Sequence, residues 1–311
     1  MLKGKTYIKA STAEQALSLA RENNGRVRYF AGGTDVMVNR FQGNDLADLL
    51  IDISEIQALK EVFASDETLA IGSLISLDDL AGHSTVCDHF PVLAEAVKSV
   101  ASPTIRKTAT LGGNLLCGNR CSYFNQSEWW REASGYCLKS SGPVCLASGG
   151  SKHCFAKFVS DMAIVLISLN ACVELLDFSG TSIKPLESIY TGDGMAPRGI
   201  SPESIIKAIR IPLNHHISSV YKKLRKRATL DFTSLTTAVS VKKAGSIRIV
   251  LGGVHAKPVI VDGKAGDDLK ALAAAAVSQS RIVDNDTYSR KYRKDMIIVF
   301  LERSFKELQL G

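Results

Sequence analysis

The chain has 311 residues, 45% of them apolar, enough for one large or two to three ordinary domains with a developed core, which argues against disorder. Its 38 Lys and Arg against 31 Asp and Glu give a formal charge of +7, but the densest basic run, Lys222 to Arg227, has no aromatic interleaving beyond Tyr221, so nucleic acid is not expected as a partner. No apolar h-region follows Met1, and no apolar run reaches the roughly 18 residues that a membrane span needs, so a cytoplasmic protein is expected.

In chain order, Tyr7 to Lys9 predicts a strand, and Ser11 with Glu14 predicts a capping box opening a helix whose buried face is Ala13, Ala16, Leu17 and Ala20. Gly25 should stop that helix. Val27 to Phe30 and Leu49 to Ile53 read as strands, with the polar loop Ala31-Gly32-Gly33-Thr34-Asp35 between them. Leu59 to Phe63 and Leu69 to Ile71 are further strands; Ser76 with Asp79 opens one helix, and Phe90 to Val100 forms another. From Leu116 to Lys157 no period persists, which is long for an unstructured stretch in a compact domain and suggests a functional loop or one organised by a metal. Asp161 to Leu169 then predicts a buried helix, Cys172 to Leu175 and Ile205 to Ile211 strands, and Pro212 to Ser219 a linker. Beyond Tyr221 a separate α+β unit is expected, with strands at Thr236 to Val241 and Ile247 to Leu251 and helices at Leu269 to Val277 and Lys294 to Leu308.

Two glycine pairs could hold phosphate. Gly32-Gly33 follows a strand, and Gly112-Gly113-Asn114 follows Thr110; paired glycines let several N–H groups converge on one anion with no Cβ in the way. Neither fits the dinucleotide or ATPase phosphate-loop pattern, so a Rossmann fold and an ordinary ATPase are disfavoured. Gly252-Gly253 reads as a strand end, and His255 beyond it as an exposed, inert residue.

Seven cysteines without an export signal argue against a disulfide scaffold, and five of them fall between 117 and 154. Cys121, Cys137, Cys145 and Cys154 are separated by 15, 7 and 8 residues. Four thiolates suit zinc or an iron–sulfur cluster, but the usual short Cys-x-x-Cys pairs are missing, so inert buried cysteines, zinc and a cluster all stay open on spacing alone. Cys117 is a spare ligand. Tyr123, Phe124, Trp129 and Trp130 crowd the same stretch, either as a small hydrophobic core or as a shield over a cluster.

Taken together, Phe30 to Asp35, Ala101 to Arg106, Ala109 to Asn114, Ser160-Asp161 and Leu251 to Val254 resemble the flavoprotein (medium) subunits of the xanthine dehydrogenase and carbon monoxide dehydrogenase class of molybdenum hydroxylases, over nearly the whole chain. The Cys121 to Trp130 stretch and the later cysteines resemble the β subunit of 4-hydroxybenzoyl-CoA reductase, whose insertion holds a [4Fe-4S] cluster. The resemblance implies an α+β chain: a vanillyl-alcohol-oxidase (PCMH)-type FAD-binding fold of two α/β subdomains, at 1–56 and 57–215, with the insertion at about 116–157, then a C-terminal α+β domain of the CO dehydrogenase flavoprotein type at 220–311. It implies that Ala31, Gly32, Gly33, Thr34, Asp35 and Val36 wrap the FAD pyrophosphate and that Thr110, Gly112, Gly113 and Asn114 form a second loop on the cofactor. Ser102 and Arg106 would line the flavin site, Asp161 would bind ribose or phosphate-side hydroxyls, and Lys223 and Arg227 would stand near the flavin. Cys121, Cys137, Cys145 and Cys154 would hold [4Fe-4S].

On that resemblance the chain does no substrate chemistry and has no catalytic residue of its own. Its partners would be a large molybdenum-cofactor subunit and a small subunit with two [2Fe-2S] clusters, in a dimer of heterotrimers. Electrons from a donor such as reduced ferredoxin would pass through [4Fe-4S] and FAD to molybdenum for reductive dehydroxylation of an aromatic CoA thioester. The alternatives are a flavoprotein subunit of a hydroxylase that oxidises an aldehyde or N-heterocycle, a stand-alone FAD oxidase or dehydrogenase, and a zinc-stapled structural subunit.

Overall fold

The computed structural model describes residues 6–23, 26–213 and 217–310. Three sheets organise the chain. The first is parallel, in the order β1-β3-β2: β1 (Thr6–Lys9), α1 (Ala13–Glu22), β2 (Val27–Phe30), α2 (Val36–Phe41) and β3 (Leu49–Asp52). Ala13, Ala16, Leu17 and Ala20 form the buried face of α1, as the spacing predicts. Its cap lies one residue later than expected. Thr12 accepts from the Gln15 N–H at 3.1 Å, while the Ser11 N–H donates to Gln15 Oε1 at 2.7 Å, so the reciprocal pair uses Thr12 and Gln15 in place of Ser11 and Glu14. Gly25, the expected stop, lies outside the described residues.

The second sheet is antiparallel, in the order β4-β5-β8-β6-β7. Its chain runs β4 (Val62–Ala64), β5 (Thr68–Gly72), α3 (Leu77–Gly82), α4 (Ser84–His89), α5 (Pro91–Ser99), α6 (Pro103–Arg106), α7 (Leu111–Leu115), α8 (Glu128–Ala133), α9 (Asp161–Ser168), β6 (Cys172–Asp177), β7 (Gly180–Pro185) and β8 (Ile205–Pro212). Leu59 ends a 3₁₀ turn and does not open a strand, so β4 is shorter than expected. The Ser76 cap forms, accepting from the Asp79 N–H at 3.0 Å. All eight residues of α9 are buried, because the helix packs on α5 and α7 on one side and on the third sheet on the other.

The third sheet is antiparallel, in the order β12-β11-β10-β9, from β9 (Ile217–Leu224), β10 (Leu235–Lys242), β11 (Ser246–Gly252) and β12 (Val259–Lys264), followed by α10 (Leu269–Gln279) and α11 (Arg290–Glu307). The alternation of β10 serves both faces. Leu235 and Val239 join the core with α10 and α11, while Thr236 and Ser240 hydrogen-bond to Asp161 and Ser168 of α9. The expected linker is shorter than 212–219, since β9 starts at Ile217; its residues 214–216 lie outside the described residues. Serines 218 and 219 hide the strand in the sequence, yet Ser219 Oγ lies 2.8 Å from Ser240 Oγ across the pair. Among the described residues no helix is long and apolar enough to cross a membrane.

Candidate functional site

The two glycine loops are pressed together. A Cβ on Gly32 would stand 1.8 Å from the Thr108 carbonyl oxygen and 3.2 Å from Ala109 Cα, so only glycine permits this approach. Gly33 has φ +67°, the left-handed region. Along this turn the backbone N–H groups of Gly32, Gly33, Thr34 and Asp35 have no hydrogen-bond acceptor among the described residues. Consecutive free donors on a glycine turn suit an anion.

The second loop differs. Its N–H groups are taken: Leu111 donates to Ile75 O at 3.0 Å, Gly112 to Ser73 O at 2.7 Å, Gly113 to Thr110 Oγ1 at 3.1 Å and Asn114 to Thr110 O at 2.9 Å. Asn114 Oδ1 accepts from Ser160 Oγ at 2.8 Å and from the Met162 N–H at 3.3 Å, tying the loop to the start of α9. Gly112 is therefore needed for packing on Ser73, where a Cβ would come within 2.9 Å. The first loop offers donors; the second supports it.

Asp161 and Lys223 meet as a buried ion pair at 2.5 Å, with side chains 5% and 4% exposed. Lys223 also donates to Ser99 O at 3.0 Å, and Asp161 accepts from Thr236 Oγ1 at 2.9 Å. Ser102 caps α6, and Arg106 donates to Val100 O at 2.8 Å, closing the end of α5. Arg227 is exposed and pairs with Asp231 four residues on. The 230–232 segment reaches back to α6, with the Leu230 N–H on Ala101 O at 3.0 Å and both residues at positive φ.

Arg120 is a residue that the sequence did not flag. It is buried, pairs with Asp35, donates to Gly118 O at 3.3 Å, and its guanidinium carbon lies 4.6 Å over the Phe232 ring. Burial brings its pKa down to about 10. The only hint in the sequence is a cation beside Cys121, which is no signal by itself. Arg131 of α8 similarly donates to Gln42 O at 2.7 Å, docking the cysteine segment on the end of α2.

Cys121, Cys137, Cys145 and Cys154 are buried free thiols that line one small cavity, together with Phe124, Leu138 and Ala147. Lys139 lines it as well, donating to Asn119 O at 3.1 Å and lying 4.4 Å from the Phe124 ring centre. Burial raises the Cys121 thiol and pushes Cys154 to about 11. Burial acts upward on Cys145 too, but the Ser148 hydroxyl and the N–H groups of Phe155, Ala147 and Ser148 bring it below the ordinary thiol value. Trp129 is 74% exposed and shields nothing, whereas Tyr123 and Trp130 pack at 6.4 Å between ring centres. Cys117 is not among the lining residues. His255, expected to be exposed, is half-buried, and burial lowers its pKa.

Residues 3–214 match the family model described as the FAD-binding domain in molybdopterin dehydrogenase. The chain belongs to this family. As a member it is a FAD-binding subunit of the molybdenum-hydroxylase class, an oxidoreductase flavoprotein. It is 32% identical to the aldehyde oxidoreductase FAD-binding subunit PaoB of Escherichia coli K12, over 83% of each chain. It is 24% identical to the glyceraldehyde dehydrogenase medium chain of Sulfolobus acidocaldarius, over 97% of this chain and 98% of that one. The fold matches carbon monoxide dehydrogenase from Hydrogenophaga pseudoflava with TM-score 0.77 at 21% identity, over 97% of this chain and 96% of that one. The α+β, PCMH-type fold expected from the sequence is therefore present.

Two expectations are overturned. Among the described residues no group of three or more His, Cys, Asp or Glu could hold a metal ion. The [4Fe-4S] assignment to Cys121, Cys137, Cys145 and Cys154, and the zinc alternative with it, fall on that finding. The four thiols line one cavity together with the apolar side chains of Phe124, Leu138 and Ala147 and do not form a ligand set. The segment is a small apolar satellite core. The reductive aryl-CoA role, with its ferredoxin-type donor, falls as well, because the two relatives above are named an aldehyde oxidoreductase and a glyceraldehyde dehydrogenase.

Proposed function

We propose that the chain is the flavin-carrying electron-transfer subunit of a molybdenum hydroxylase that oxidises an aldehyde or an N-heterocycle, with aldehyde favoured by the names of the relatives above. The carrying observation is the row of unpartnered N–H groups from Gly32 to Asp35, on a turn that glycine alone allows. Bound FAD would supply a carrier that exchanges electrons singly or in pairs. Residues Ala31 to Val36 would hold its diphosphate through backbone N–H groups, and the loop of Thr110, Gly112, Gly113 and Asn114 would brace that turn from behind. Ser102, which caps α6, and Arg106, the last residue of α6, would line the site.

Asp161 and Lys223 contribute by fixing the start of α9 to β9, since each already spends its charge on the other. Arg227 is paired as well, with Asp231, but its side chain is 65% exposed, so it is the more accessible of the two cations to developing negative charge. No base or nucleophile is required of this chain, because substrate oxidation belongs to a large molybdenum subunit. A small subunit with two [2Fe-2S] clusters would carry electrons between them, in a dimer of heterotrimers. The domain limits 1–56, 57–215 and 220–311 are proposed with this reading; the first two bracket the first two sheets, whereas β9 of the third sheet starts at Ile217, ahead of the 220 limit.

The full chain purified alone should carry FAD in equimolar amount and should show no aldehyde-dependent bleaching of the flavin. Adding the two partner subunits and an aldehyde under anaerobic conditions should bleach it. A chain that takes up no FAD sinks the assignment, and one that oxidises aldehyde unaided is a stand-alone enzyme.

A further inference from the structure

Asp35 sits where a carboxylate is least welcome. It ends the run of free N–H donors, and an anion held by those donors would repel it. The side chain is turned away. It makes no cap bond to α2, although it occupies the N-cap position, where an aspartate ordinarily accepts from the helix. Instead one oxygen takes the Arg120 guanidinium, and the other takes the Gly118 N–H at 3.4 Å.

Arg120 is itself held from three sides. Its backbone pairs with Lys157 in both directions, at 3.0 and 2.8 Å. Its guanidinium lies 4.6 Å from the centre of the half-exposed Phe232 ring, and Nη1 is on Gly118 O at 3.3 Å. A residue fixed this firmly sets where the Asp35 carboxylate rests, and it joins the N–H turn to the 230–232 segment of the third-sheet region.

We propose that Arg120 is a positioning residue for the flavin diphosphate: it holds the Asp35 carboxylate off the Gly32–Asp35 N–H turn, so that the turn presents donors and no net negative charge. This rests on the flavin reading above. It also gives the cysteine segment, from which Arg120 comes, a function in cofactor binding that needs no metal.

The test is FAD affinity of the full-length apoprotein, by quenching of flavin fluorescence, for wild type, Arg120→Gln, Asp35→Asn and the double variant, with thermal melting of each apoprotein alongside. Arg120→Gln should weaken FAD by about tenfold or more, Asp35→Asn, which keeps the backbone N–H and removes only the carboxylate, should tighten it, and the double variant should return to within about threefold of wild type, since removing the carboxylate removes the need for its partner. The loss in Arg120→Gln should shrink at high salt. An equal loss in the wild-type and Asp35→Asn backgrounds, or no loss at all, overturns the proposal and leaves Arg120 a packing residue. Should Arg120→Gln not fold, Arg120→Lys is compared in both backgrounds. About threefold weakening that vanishes with Asp35→Asn supports the proposal, and a background-independent effect overturns it. Wild type that binds no FAD refutes the flavin reading instead, a result these variants cannot imitate.

Discussion

Gly32→Ala is expected to strip the chain of most of its flavin. The added methyl would meet the Thr108 carbonyl oxygen at 1.8 Å and its carbon at 2.6 Å. Both are backbone atoms, so no side-chain rotation relieves the clash, and the 31–35 turn must back away from 108–110. At Gly33 the corresponding Cβ meets the Phe30 ring at 2.4 Å, a side chain that can swing, although φ +67° adds strain there. Gly32 is therefore the stricter position. Separating the loops should cost on the order of 1–3 kcal/mol of stability, the usual range for overpacking, and lower FAD affinity by at least about tenfold, or about 1.4 kcal/mol. Gly82→Ala is the control: its Cβ meets nothing within 4 Å, it lies in α3, and helix propensity favours alanine. The ratio of flavin to protein after gel filtration reads the effect. Full flavin in Gly32→Ala, with the control also unchanged, would mean that these two loops do not make the site.

That the first loop could be read in the sequence, and its supports could not, follows from what each signals. Gly32-Gly33 after a strand is local: turn, donors and strand end lie in consecutive residues. Strands β10 and β11 were likewise visible because Val, Ile and Ala alternate in them, and α9 because it is apolar throughout. β7 gave no signal, since it is an edge strand with five of its six residues exposed and so has no apolar face to print a period. The Asp161–Lys223 pair joins residues 62 apart and Asp35–Arg120 residues 85 apart, and no spacing rule links such positions. The cysteines misled for a related reason. Clustering in sequence does bring Cys121, Cys137, Cys145 and Cys154 to one cavity, but thiols lining an apolar space are not thereby a ligand set. Residue type was legible there. The arrangement of the sulfurs was not, because it depends on how Phe124, Leu138 and Ala147 pack around the same cavity.

Asp286→Ala should be strongly destabilising. Asp286 and Lys157 pair with side chains 2% and 11% exposed, and the carboxylate also accepts from Ser234 Oγ at 2.8 Å and the Tyr288 N–H at 3.0 Å. Close by, Arg293 is fully buried and, among the described residues, donates only to neutral acceptors, Ser234 O at 3.1 Å, Gly253 O, Val283 O and Asn285 Oδ1. Removing the carboxylate leaves two buried cations without their shared counter-charge, and breaking a buried pair in this way costs about 3–5 kcal/mol. The companion change Lys157→Met in the same chain should recover much of that loss, because it removes the charge rather than re-pairing it.

The two partners' pKa shifts look opposed. Burial lowers Lys157 despite Asp286, whereas Asp286 is lowered because Lys157 and its hydrogen bonds outweigh the upward effect of burial. For the carboxyl the sign is clear: a folded value below the ordinary 3.8 means that its stabilisation is present above pH 3.8 and is lost as pH falls through the lower folded value. Urea unfolding against pH should therefore show wild type and Asp286→Ala far apart at neutral pH and converging in acid. Curves that run parallel down to the acid limit would show that the carboxylate is not what holds the two cations. Because Lys157 pairs through its backbone with Arg120, the same variant should also loosen FAD modestly, coupling the C-terminal core to the turn at Gly32 through one bridge.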